Sequence, residues 1–225
     1  MKFLNLTMLL ATIVVIPVAQ AADNAGNAEA GKAKAAVCAA CHGPDGNSPS
    51  GQFPNLAGQG APYLLKQLHD FKSGARVNAI MQGQVANLSD QDMENLAAYF
   101  SSQTIHPGQA DPKLVAQGEK LFRGGDPANG VPACSGCHNP AGQGVDAARF
   151  PALAGQHPEY VESQLRAFRA AGRGDLGDDV VTRKNDPSKM METIAAKLSD
   201  QQIRAVASFV SGLSAGKAEG KQAAD

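Results

Sequence analysis

Two halves of this 225-residue chain carry the same residues in the same order. VCAACHG at Val37–Gly43 returns as ACSGCHN at Ala133–Asn139, and FPNLAGQ at Phe53–Gln59 returns as FPALAGQ at Phe150–Gln156. YLLKQLHDF from Tyr63 is matched by YVESQLRAF from Tyr160, and NLSDQDMENLAAYF from Asn87 by KLSDQQIRAVASFV from Lys197. The offset between copies grows from 96 through 97 to 110, which places an insertion in the second copy between Phe168 and its Leu-Ser-Asp, at Arg169 to Lys189. Such duplication restricts the fold to two copies of one small domain, since two repeats are too few for a solenoid.

The ends and the linker follow from local composition. Residues 1–21 combine Lys2, an apolar stretch from Leu4 to Val18 and a small-x-small end at Ala19-Gln20-Ala21, the pattern of a cleaved secretory signal peptide. Asn5, Thr7, Thr12 and Pro17 interrupt the run that a membrane-spanning helix would need. Cleavage would remove only Lys2 among the charges and take the net charge from −1 to −2, so no basic footprint for nucleic acid is expected. The predicted division is a first domain at 22–103, a linker at 104–114 rich in turn residues, a second domain at 115–215 and a disordered tail at 216–225.

Helices are expected almost throughout. One spans Glu29 to Ala40, and its counterpart spans Pro112 to Arg123 with Asp111 as N-cap. Pro62 and Pro158 suit the first turns of second helices, and Ser89-x-x-Asp92 and Ser199-x-x-Gln202 read as capping boxes of third helices. These end near Phe100 and before Gly212, where the glycine suits a left-handed cap.

All four cysteines lie in Cys38-Ala39-Ala40-Cys41-His42 and Cys134-Ser135-Gly136-Cys137-His138. The spacing fits covalent haem attachment: two thiols two residues apart add to the vinyl groups on one porphyrin edge, and the adjacent histidine is carried under the iron. A thioredoxin-type pair expects a βαβ setting, a zinc ribbon needs neither histidine, and structural disulfides are open to an exported chain. Each half has few aromatics, no Trp and abundant Ala and Gly, so an apolar cofactor would supply missing core.

A low-spin electron-transfer haem needs a second axial ligand, and methionine opposite histidine raises the potential. Met81 stands seven residues before Leu88, and Met191 stands seven before Leu198, so these two share one position of the repeat. Met93 matches Ile203 and Met190 matches Ile80; both read as packing, with Met190 the rival to Met191. His69, His106 and His157 do not recur in register and read as polar surface or loop. The expected iron ligands are therefore His42 with Met81 and His138 with Met191.

The order CxxCHG, FPxLAGQ, YLxxQL, Met, LSDxD, LAAYF resembles the dihaem cytochrome c4 family, over nearly the whole chain beyond residue 21. The resemblance implies an all-α fold of two tandem class I cytochrome c domains, each wrapped around a covalent haem c. It implies a periplasmic carrier, membrane-associated in some members, that passes electrons from a respiratory donor complex towards a terminal oxidase. It also implies that the carbonyls of Pro54 and Pro151 accept a bond from the two ligand histidines.

With His and Met on both irons no coordination position is open, and outer-sphere electron transfer is what remains. Two alternatives stay in view: an electron-accepting subunit of a catalytic flavoprotein, and a dihaem peroxidase with one open iron. Arg76 pairs with Arg173 and Tyr63 with Tyr160 along the repeat, which makes them candidates for binding haem propionates.

Overall fold

A computed structural model describes residues 26–214 except 176, 178, 179 and 187. The leader at 1–21 and the tail at 216–225 lie outside the described residues. Among the described residues there are ten α-helices and no sheet, only two isolated bridges, Asp126 with Val131 and Val145 with Phe150. No helix there is long and apolar enough to cross a membrane.

The first domain contains α1 (Ala28–Lys34), α2 (Ala39–His42), α3 (Ala61–Ser73), α4 (Ala79–Val85) and α5 (Asp90–Ser101). The second repeats it with α6 (Val115–Gly124), α7 (Ser135–His138), α8 (Pro158–Arg173), α9 (Met190–Ala195) and α10 (Asp200–Gly212). Both predicted capping boxes form: Ser89 and Ser199 accept from the amides of Asp92 and Gln202, whose side chains accept from the N-cap amides in return. Pro62 and Pro158 lie in the first turns of α3 and α8, where a missing N–H costs nothing.

Three expectations shift. The helix foreseen at Glu29 to Ala40 is broken into α1, a 3-10 turn at Ala35–Val37 and α2. Asp111 does cap a turn, accepting from Lys113, but the chain only enters α6 at Val115. Gly212 is the last residue of α10 and not its left-handed cap; a Cβ there would stand 2.9 Å from that of Ala110, so it marks a close approach of the linker.

In each domain the first helix crosses the last at a glycine. A Cβ on Gly31 would lie 2.0 Å from the carbonyl oxygen of Asn95 in α5, and one on Gly118 would lie 2.2 Å from that of Ala205 in α10. The absent side chain lets the backbones touch. Around these crossings sit the two cores. Leu64, Leu96, Tyr99 and Phe100 form the first, with Cys38, Leu56 and Leu68 against it. Leu121, Phe122, Val161, Leu198, Ile203 and Phe209 form the second, with Cys134 and Leu153 against it.

The domains meet through an approximately two-fold pairing of their FPxLAGQ loops. Gln59 donates to the carbonyl of Ala152 (3.0 Å) and accepts from its amide (2.8 Å), while Gln156 donates to the carbonyl of Asn55 (2.9 Å) and accepts from its amide (2.8 Å). Each glutamine is buried and replaces the hydrogen bonds that the partner loop would otherwise make to water. His157 adds a contact to the Ser48 carbonyl at 2.9 Å, so it belongs to the interface and not, as its sequence context suggested, to a solvated loop.

Candidate functional site

The two Cys-x-x-Cys-His motifs fold alike. Cys38 and Cys134 stand immediately before the single-turn helices α2 and α7, and the amides of His42 and His138 bond back to their carbonyls at 3.0 and 2.9 Å. One helical turn therefore sets each histidine beside its two thiols. All four thiols are free and half-buried. Burial pushes the Cys38 thiol up, with the neighbouring Cys41 adding to the effect, and it pushes Cys134 up to about 11.

Both histidines are buried and held by the same pair of contacts. Nδ1 of His42 donates to the carbonyl of Pro54 at 2.9 Å, and Nδ1 of His138 donates to that of Pro151 at 2.9 Å. Phe53 and Phe150 flank the two imidazoles with ring centroids 6.2 Å away in each case. Burial, partly opposed by the proline carbonyl bond, holds both imidazoles below the usual histidine range, so they are neutral near pH 7. With Nδ1–H committed, Nε2 keeps its lone pair, and it has no hydrogen-bond partner among the described residues. That is the donor atom a transition metal requires.

The methionines sort by position. Met93 is fully buried on α5, as its match to Ile203 indicated. Met81 and Met191 are half-buried in the first turns of α4 and α9, two short helices that the sequence did not announce. Met190, read as packing, is instead 37% exposed, like its counterpart Ile80 at 60%. Each inner methionine has its amide tied down, but differently. Asn78 accepts from Met81 N (3.0 Å), whereas Asp186 accepts from Met191 N (2.5 Å). The insertion thus changes the cap and keeps the methionine in place.

The proposed pairing of Arg76 with Arg173 does not hold. Helix α8 extends three residues beyond the point matching the end of α3, so Arg173 is still helical and donates to the carbonyls of Ala196 and Leu198. Arg183, from within the insertion, takes the equivalent place. Its amide bonds to the Ala167 carbonyl as that of Arg76 bonds to Asp70, and its guanidinium lies 4.5 Å from the Phe168 ring as that of Arg76 lies 4.6 Å from Phe71. The two arginines then cross between domains: Arg76 donates to Tyr160 (2.9 Å) and Gln164 (2.7 Å), Arg183 to Tyr63 (3.0 Å) and Gln67 (3.1 Å). Burial works against ionising Tyr63, but Arg183, Arg76 and Lys66 overcome it and draw the phenol below its usual value. Tyr63 and Tyr160, matched along the repeat, thus each accept from an arginine of the opposite domain.

The cytochrome c family model matches residues 28–104 and again residues 115–214. Cytochrome c4 of Pseudomonas aeruginosa is 52% identical over 206 residues, covering 92% of this chain and 98% of that protein. The chain belongs to the cytochrome c4 family. The crystal structure of reduced recombinant cytochrome c4 from Pseudomonas stutzeri superposes with a TM-score of 0.76 at 51% identity, over 84% of this chain and all of that one. A thiosulfate dehydrogenase electron acceptor from Stutzerimonas stutzeri is more distant, 42% identical with 76% of each chain covered. As a cytochrome c4, the protein is a two-domain electron carrier and not an enzyme, and each domain takes one covalent haem c. The residues fit that group: two thiols per domain and a buried, neutral imidazole beside them.

Proposed function

We propose that the protein carries single electrons in the periplasm between a respiratory donor complex and a terminal oxidase, with haems attached at Cys38 and Cys41 and at Cys134 and Cys137, and ligated by His42 and Met81 and by His138 and Met191. The observation that carries this reading is the repetition of one arrangement in both domains: a buried neutral histidine whose Nδ1 is held by a proline carbonyl, and a half-buried methionine whose amide is capped. When bound, each haem supplies a one-electron Fe(III)/Fe(II) couple. The protein orients the imidazoles through Pro54 and Pro151, presents soft thioethers that favour the reduced state, and leaves no position for peroxide or oxygen. A peroxidase would need one domain to lack its methionine, and neither does. Residues 1–21 support export, which c-type maturation requires of the chain.

Peripheral association with the membrane is consistent with a donor embedded there. The likeness to a thiosulfate dehydrogenase electron acceptor favours a second reading, in which the donor is a thiosulfate-oxidising dehydrogenase. Rates of reduction of the purified holoprotein by quinol-oxidising membranes and by such an enzyme separate the two. Fast reduction by the membranes alone supports the first, and fast reduction by the enzyme alone overturns it.

A further inference from the structure

The glutamine that ends each FPxLAGQ motif has a place in the chemistry that domain packing alone does not account for. The amide of Asn55, which donates to Gln156, and the carbonyl of Pro54, which accepts from His42, belong to the same peptide group. In the other domain, the Ala152 amide that donates to Gln59 and the Pro151 carbonyl that accepts from His138 are again one peptide group. Each histidine is thus joined to a side chain of the opposite domain through two hydrogen bonds and a single conjugated amide. A peptide whose N–H is bonded to an acceptor carries more negative charge on its oxygen, and such chains strengthen one another by roughly 10–30% per bond. A stronger Nδ1–H···O bond makes the imidazole a better donor and favours Fe(III) over Fe(II).

We propose that Gln156 and Gln59 are crossed positioning residues: Gln156 of the second domain lowers the potential of the first haem through Pro54 and His42, and Gln59 of the first domain lowers that of the second through Pro151 and His138. The inference rests on the axial assignment of the two histidines. Three features support it. Both glutamines are buried, each at 7% exposure. The four bonds lie between 2.8 and 3.0 Å and match across the pseudo-two-fold axis. Asn55 is also fixed by its own side chain, which donates to the Gly155 carbonyl and accepts from the Ser48 amide, so its peptide is held in one orientation. The consequence is that the couple in one domain is set partly by a residue of the other.

The test uses the haem-loaded protein with Gln156→Met and Gln59→Met, which keep length and remove both inter-domain bonds, and Gln156→Glu, which keeps an acceptor oxygen. Domain-resolved redox titration and proton NMR of the reduced state are the readouts. Gln156→Met should raise the first potential, leave the second, and move the Nδ1 proton of His42 upfield while that of His138 stays. Gln59→Met should do the reverse, and Gln156→Glu should not raise the first potential. Equal shifts at both haems, shifts confined to the mutated domain, or unmoved Nδ1 protons would overturn the relay. Absence of ring-current shifts on the carbon-bound imidazole protons would overturn the axial assignment itself, a failure distinct from unmoved Nδ1 protons on rings that do show those shifts. If Gln156→Met does not fold, Gln156→Glu and Gln59→Met still decide the matter.

Discussion

Replacing Gly118 by alanine tests the helix crossing that frames the second domain. The new methyl carbon would lie 2.2 Å from the Ala205 carbonyl oxygen and 2.6 Å from the Cβ of Phe209. Neither neighbour can swing aside, since one is backbone and the other is fixed to it, so α6 and α10 must separate. Overpacking of this kind costs about 1–3 kcal/mol. Alanine regains up to about 1 kcal/mol through its better helix propensity. A net loss of about 1–2 kcal/mol in a domain of this size lowers the melting temperature by roughly 5–15 °C. Gly124→Ala is the control, because Gly124 lies on the same helix with nothing within 4 Å of its would-be Cβ. Thermal unfolding of the two holoproteins, followed by circular dichroism, should show Gly118→Ala clearly below the parent and Gly124→Ala at or above it. Equal melting temperatures for the two variants would refute the argument.

Two further outcomes are expected. The haem-loaded protein, unfolded in guanidinium, should show no free thiol by a colorimetric reagent and a pyridine haemochrome yield of two per chain, whereas the chain made without haem attachment should titrate four thiols, as its four cysteines require. Asp186→Ala should remove the cap on the Met191 amide, cost about 1 kcal/mol and weaken the sulfur-to-iron band of the second haem alone, as read in the oxidised visible spectrum.

Most of the site was legible because its chemistry is carried by short-range pattern. The Cys-x-x-Cys-His motifs, the capping boxes at Ser89 and Ser199 and the prolines opening α3 and α8 act within one or two turns, and the repeat supplied a check on each. Register was lost where length changed. Arg173 matches Arg76 in the aligned sequence, but the longer α8 carries it past the interface, and Arg183 replaces it through tertiary contacts with Phe168 and Tyr63. Helices α4 and α9 escaped notice because seven and six residues hold no amphipathic period, and their first turns are held differently: N-cap Asn78 accepts from Met81 N, whereas Asp186, upstream of the N-cap Lys189, accepts from Met191 N. Gly31 and Gly118 gave no local signal of the crossings they permit. Met190 looked like core because methionine usually is, yet it opens α9 at an exposed position.

Axial ligation is tested most directly by one redox and optical titration of four single variants beside the parent. A thioether on iron gives a weak charge-transfer band in the oxidised state and raises the potential. Met81→His should remove about half of that band and lower the first potential, and Met191→His should do the same for the second. Met93→Leu, in the α5 core, should cost less than about 1.5 kcal/mol and leave both bands intact, and Met190→Leu, at an exposed position, should change neither band nor stability. Loss of the second band in Met190→Leu, with Met191→His unaffected, would contradict the ligand assignment in the second domain. Two intact bands in both histidine variants would contradict it in each.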